Sequence, residues 1–131
     1  MKRSEVLKLL RAAVKASKQA HAPYSKFLVG AALLTEGGEV ITGCNVENAS
    51  FGLTICAERS AIFTAVGRGL RKFRAVAIVA DAKKPYPCGA CRQVLAEFCP
   101  PETPVFIAPS RKVADYEATT LGELLPKTFR F

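Results

Sequence analysis

The sequence predicts an α/β fold: one mixed five-stranded sheet with helices on its faces. Three observations carry this. Four stretches have helix signals, in apolar spacing or in their caps. Five shorter runs are apolar and bounded by Gly, Pro or polar turns, as strands are. The two kinds interleave in the order α-β-β-α-β-α-β-β-α, which suits a single layered sheet. With 131 residues, 50% of them hydrophobic, and no repeat or linker, the chain reads as one domain over 1–131 with enough apolar material for a real core.

Val6, Leu7, Leu10, Ala13, Val14 and Ser17 recur at helical spacing and predict a helix over 4–20, which Pro23 ends. Residues 27–35 read as a buried strand and 40–43 as its partner, joined through Glu36-Gly37-Gly38-Glu39, good hairpin chemistry. Beyond them lies Asn45-Val46-Glu47-Asn48; in extended chain Asn45 and Glu47 point the same way. Thr54 is the expected cap of a helix over 54–66 that stops at Gly67, with Cys56 in its first turn. Residues 75–80 form a continuous apolar strand, followed by the Asp81-Ala82-Lys83-Lys84 loop and Pro85-Tyr86-Pro87. Cys88 then opens a helix that buries Val94, Leu95 and Phe98 and ends before Pro100-Pro101. Residues 104–108 and 114–119 are the last two strands, and Thr120-Leu121-Gly122-Glu123 has the form of a capping box opening a short helix.

Charge and cysteine content narrow the function classes. The formal charge is +8, but seven basic residues and one acidic residue fall within 1–30, a net +6, so most of the excess is local. Lys8, Arg11, Lys15 and Lys18 form one stripe on the first helix, which reads as a solvated face before it reads as a polyanion-binding surface. Apolar runs are too short for a membrane span. Five cysteines, an odd number without a disulfide framework, suit a reducing compartment, and the expected location is cytoplasmic.

The chemistry gathers in two short pieces, Cys56-Ala57-Glu58-Arg59 and Pro87-Cys88-Gly89-Ala90-Cys91-Arg92. A catalytic zinc takes three protein ligands and leaves a fourth position for water. Cys56, Cys88 and Cys91 supply that number, and Glu58 stands where a carboxylate could take a proton from water. Structural zinc sites and redox dithiols share the Cys-x-x-Cys pattern; the third cysteine at a helix start, the adjacent Glu58 and the lack of a fourth Cys or His to close the shell favour a catalytic site. Cys44 and Cys99 read as small buried hydrophobes, and His21 as non-ligating. A difficulty is that residues two apart in a regular helix point to nearly opposite sides, so Cys56 must lie near the helix axis to share a site with Glu58.

Four motifs carry a resemblance: His21-Ala22-Pro23-Tyr24-Ser25-Lys26-Phe27, Gly43-Cys44-Asn45-Val46-Glu47-Asn48-Ala49, Cys56-Ala57-Glu58-Arg59 and Pro87-Cys88-Gly89-Ala90-Cys91-Arg92-Gln93. In that order, over nearly the whole chain, the sequence resembles the small homotetrameric zinc-dependent cytidine deaminases. The resemblance implies a three-layer α/β/α fold, one Zn2+ per subunit held by Cys56, Cys88 and Cys91, and hydrolytic deamination of cytidine and 2'-deoxycytidine in pyrimidine salvage. Glu58 would shuttle protons between water, the ring N3 and the leaving amino group. The backbone of Ala57 would help hold the base, Asn45 and Glu47 the ribose 3'-hydroxyl, and Phe27 would pack against the nucleoside. Phe129 resembles the family's C-terminal aromatic, which reaches a neighbouring subunit's pyrimidine. Phe51 stands where some relatives have tyrosine, so a hydroxyl contact there is lost. Tyr86 is bulkier than the small residue often found before Pro87. Arg59, by the same resemblance, bonds cysteine sulfurs; Arg92 is a second candidate cation for that shell.

Two rival readings remain at the level of sequence. One is the same fold acting on a nucleoside antibiotic or on a base within a polynucleotide, against which the sugar-binding Asn45-Val46-Glu47-Asn48 speaks. The other is a zinc domain whose metal only supports the fold, against which Glu58 and the open ligand position speak. The expected partners are therefore a small nucleoside and further copies of the chain, with no membrane and no nucleic acid.

Overall fold

The computed structural model describes residues 1–131. Its elements run α1 Arg3–Ser17, β1 Val29–Thr35, β2 Val40–Cys44, α2 Ala57–Gly67, β3 Phe73–Ala80, α3 Gly89–Phe98, β4 Pro104–Pro109, β5 Glu117–Thr120 and α4 Leu121–Leu124, in the predicted order. The strands form one mixed sheet ordered β2-β1-β3-β4-β5. β1 pairs antiparallel with β2 and β3, β3 runs parallel to β4, and β5 is antiparallel to β4. Parallel neighbours need a long crossover, and α3 provides it.

The layering follows from β3. Alternate residues of a strand face opposite sides, and here both sets are apolar. Val76 and Ile78 pack with Leu33, Ile62, Leu95 and Ile107 beneath α2 and α3. Ala75, Ala77 and Val79 pack with Leu9, Leu10 and Ala13 of α1 on the other face. A central strand covered on both sides needs no polar alternation, which is why 75–80 reads as a continuous apolar run. Helices approach closely where glycine replaces a side chain. A Cβ on Gly30 of β1 would stand 1.9 Å from Ala13 O of α1, and one on Gly43 of β2 would stand 2.4 Å from Ala61 N and 2.6 Å from Ala57 O of α2.

Several boundaries differ from expectation. α1 ends at Ser17, and Leu9 is fully buried while Leu7 and Val14 are half-buried, which rotates its apolar stripe. β1 starts at Val29 because the Asn45 side chain takes the Phe27 carbonyl and the Val29 N–H in place of a strand partner. β5 starts at Glu117 because 113–115 form a short 3-10 turn in which Asp115 N donates to Lys112 O and the Lys112 ammonium pairs with Asp115 at 3.4 Å. The predicted cap at 120 is present: Thr120 Oγ1 accepts from Glu123 N at 3.2 Å. Glu123, however, accepts from the Thr119 hydroxyl, so the reciprocal half of the box is missing.

Candidate active site

Two helix starts meet at the site. Cys56 and Cys88 each immediately precede a helix in extended backbone (φ −72°, ψ 157° and φ −67°, ψ 166°). Each gives its carbonyl to the first turn, accepting from Ser60 N and Arg92 N at 3.0 Å. Cys91 lies in the first turn of α3 and is fully buried. The three Sγ atoms lie within 4.8 Å of one another, Cys56 to Cys88 at 3.9 Å and Cys88 to Cys91 at 3.4 Å. Zinc–sulfur bonds of about 2.3 Å in a tetrahedron require sulfurs about 3.8 Å apart. The cluster therefore fits one zinc ion.

This geometry corrects the expected cap. Thr54 does not open α2; Cys56 does. Ile55 is held extended by a reciprocal pair with Val46 (N to O 2.9 and 3.0 Å), and Thr54 Oγ1 instead accepts from Asn48 N. The correction also removes the difficulty over Glu58. Because Cys56 precedes the helix, the helical angle between residues two apart does not apply, and both side chains reach one cavity.

The electrostatics of the sulfurs are those of a cation site. The neighbouring Cys91 thiol and then the adjacent Arg59 lower Cys56 to about 5, against the opposing effect of burial. Cys91 is pushed up by the same pairing and by its own burial. Between Cys56 and Cys91 the thiolate thus rests on Cys56, and a bound divalent cation would favour the thiolate form of the sulfurs that hold it. Both helix N-termini add partial positive charge here. Arg59 Nη2 donates to Cys56 Sγ at 3.4 Å, and the sulfurs hold the guanidinium firmly protonated. Its Nε is buried without a partner. Arg92 does not face the sulfurs: it donates to Pro87 O at 2.7 Å and Leu124 O at 2.6 Å, clamping the ligand loop to α4.

Glu58 is 4% exposed. Burial first, and the Cys56 charge second, raise its carboxyl above the ordinary range, which suits a group that must hold and release a proton. It lines a cavity of about 280 Å³ together with Cys56, Ala57, Cys88, Phe27, Asn45 and Glu47. Small-ligand pockets run from about 300 to 1,000 Å³, so this one suits a compact molecule.

The Asn45 amide is largely committed to the backbone. It is 7% exposed, donates from Nδ2 to Phe27 O at 2.8 Å and accepts at Oδ1 from Val29 N at 2.9 Å. One N–H and one lone pair remain. Glu47 accepts from Tyr24 N at 3.0 Å, Ser25 N at 3.1 Å and the Ser25 hydroxyl, and the last of these chiefly holds its carboxyl below the ordinary range.

Two of the predicted substrate-binding residues are not in this cavity. Phe51 is 71% exposed and lines an adjoining recess with Tyr24, Ser25, Glu47 and Thr54. Phe129 is 72% exposed beside α3, where its carbonyl accepts from Gln93 Nε2. Six lining residues escaped the sequence reading of the site: Ser25, Val29, Thr54, Ile78, Pro85 and Tyr86. Ser25 stood within the first resemblance motif, and Tyr86 carried a signal in its bulk before Pro87. The Tyr86 hydroxyl donates to Glu117 at 2.8 Å, and Lys84 pairs with the same carboxylate at 3.1 Å, fastening the β3–α3 loop to β5.

Fold and site define a class: an α/β/α protein with a three-thiol metal centre at two converging helix starts and a buried carboxylate beside it. Residues 3–107 match the family model described as the cytidine and deoxycytidylate deaminase zinc-binding region. A cytidine deaminase of Sporosarcina psychrophila is 52% identical over 126 residues, covering 95% of this chain and 91% of that protein. One from Halalkalibacterium halodurans is 52% identical over 122 residues, covering 92% and 91%. The crystal structure of cytidine deaminase from Burkholderia pseudomallei superposes with a TM-score of 0.90 at 45% identity, covering 98% of this chain and all of that one (100%). The chain belongs to the cytidine and deoxycytidylate deaminase zinc-binding family.

Proposed function

We propose that the chain catalyses hydrolytic deamination of cytidine and 2'-deoxycytidine, each taking up one water to give the corresponding uridine nucleoside and ammonia. The observation that carries this reading is the meeting, in one cavity of about 280 Å³, of Cys56 and Cys88 from the three-sulfur cluster, the buried Glu58 and the hydrogen-bonding Glu47. Cys56, Cys88 and Cys91 would hold one Zn2+, which when bound supplies the Lewis acidity that activates water at neutral pH.

The protein's own groups do the rest. Glu58 takes one proton from water and gives it to the ring N3, then takes the second from the hydroxyl now on C4 and passes it to the exocyclic nitrogen as the C4–N bond breaks; its buried, raised carboxyl suits this relay. Arg59 offsets the negative charge of the sulfurs, which otherwise weakens the metal's pull on electrons. Ala57, fully buried in the cavity wall, holds the base through its backbone. Glu47 accepts from the ribose 3'-hydroxyl, Asn45 offers its remaining N–H and lone pair to the same sugar, and Phe27 packs against the nucleoside. The exposed aromatics Phe51 and Phe129 support a homotetramer with composite sites, in which Phe129 covers a neighbour's pyrimidine. Five free thiols and a thiolate metal centre suit work in the cytoplasm. No helix is long and apolar enough to cross a membrane.

The test is an assay of the purified, zinc-loaded protein on cytidine and 2'-deoxycytidine, reading ammonia and the uridine product, with sizing alongside. Turnover of both by a tetramer is expected. A zinc-loaded protein inert toward both nucleosides would refute this substrate assignment, and a fully active monomer would remove the composite site.

A further inference from the structure

We propose that Ser25 is a positioning residue for the sugar: its hydroxyl holds the Glu47 carboxylate while its oxygen fixes the Phe27 backbone, so that acceptor and aromatic wall are set as one unit. This rests on the reading of Glu47 as the acceptor for the ribose 3'-hydroxyl.

The local backbone builds the arrangement. Segments 21–27 and 45–47 are stitched together by His21 N to Asn45 O at 3.0 Å and Glu47 N to His21 O at 2.8 Å. Within the first segment the chain makes a turn closed by Lys26 N to Ala22 O at 3.0 Å, with Lys26 in the left-handed region at φ 61°. The turn aims the N–H groups of Tyr24 and Ser25 at Glu47 (3.0 and 3.1 Å), and the Ser25 hydroxyl donates to the second carboxylate oxygen. Ser25 Oγ also accepts from Phe27 N at 3.0 Å. No other residue in this group of bonds joins Glu47 to Phe27.

Counting acceptor sites gives the consequence. An ionised carboxylate has about four lone-pair positions. Three are filled by the two N–H groups and the hydroxyl. One remains, fixed in direction, which suits one hydroxyl of a sugar and discriminates against a sugar lacking it. The largest cause of Glu47's lowered carboxyl is that same serine hydroxyl, which agrees with a carboxylate kept ionised as an acceptor. Ser25→Ala leaves both backbone donors in place but frees one oxygen of Glu47 and leaves Phe27 N–H without its acceptor.

The experiment compares kcat/KM for cytidine and 3'-deoxycytidine in the wild type, Ser25→Ala and Ser25→Thr. The wild type is expected to favour cytidine strongly. Ser25→Ala is expected to raise KM for cytidine about tenfold with kcat within about twofold, and to shrink the preference over 3'-deoxycytidine by about the same factor. Ser25→Thr, which keeps the hydroxyl, restores it. Equal loss on both substrates would mean a merely structural serine and would overturn the proposal, as would an unchanged preference. A wild type that does not distinguish the two nucleosides would instead overturn the reading of Glu47. Should Ser25→Ala not fold, Ser25→Cys, similar in shape but a weak donor, carries the same comparison.

Discussion

Gly43→Ala tests whether the packing of α2 on the sheet sets the chemistry. The added Cβ would lie 2.6 Å from Ala57 O, 2.4 Å from Ala61 N and 2.9 Å from Ala61 Cα, all helix backbone, which cannot rotate away. To reach ordinary contact the first turn of α2 must retreat by roughly 0.8 Å or more. That turn carries Ala57, Glu58 and Arg59 and begins from Cys56. Overpacking of this kind costs about 1–3 kcal/mol, a fall in Tm of roughly 3–10 °C for a chain of this size. A displacement of about 1 Å at a catalytic group costs on the order of a hundredfold in rate. The assay is kcat/KM on cytidine with Tm on the same preparations, and Gly67→Ala serves as control. Gly67 ends the same helix with nothing within 4 Å of its Cβ position, so that variant is expected to match the wild type. A Gly43→Ala protein with unchanged kcat/KM and Tm would refute the argument that sheet contact holds the site.

Cys88→Ala should lower bound zinc and Tm together, because metal binding and folding are coupled; metal analysis and a thermal melt check this. Arg59→Ala should weaken zinc retention or kcat by about ten- to a hundredfold, read by competition with a chelator and by turnover, and an unchanged value would return Arg59 to a packing role. Cytidine 3'-phosphate and internal cytosines of a single strand should be very poor substrates, since a phosphate has no proton for Glu47 and adds like charge beside it. Comparable rates on a short cytosine-containing strand at low salt would make the exposed Lys8, Arg11, Lys15 and Lys18 a binding surface despite the cavity's size.

How much of this was legible in the sequence depended on how local the cause was. The strands showed because covering on both faces leaves 75–80 without polar alternation, and the sulfur cluster showed because zinc chemistry dictates both residue types and spacing. The start of α2 did not, since the pairing of Ile55 with Val46 that keeps the chain extended through Cys56 joins residues far apart in the chain. Arg92 misled for the same reason: its carbonyl partner in α4 lies 32 residues away. Asn45 was read for its hydrogen-bonding capacity alone, whereas two of its bonds are spent fixing Phe27 and Val29. Ser25 offered no pattern of its own, because its role exists only once residues 21–27 lie beside 45–47.

The central claim is that the three cysteines hold zinc while Glu58 moves protons. It is tested most directly by measuring zinc content and cytidine turnover on the same preparations of wild type and Glu58→Ala. Both proteins should carry zinc at about one ion per subunit. Turnover should fall by about a hundred- to ten-thousandfold in the variant. Near-normal turnover by zinc-replete Glu58→Ala would contradict the account.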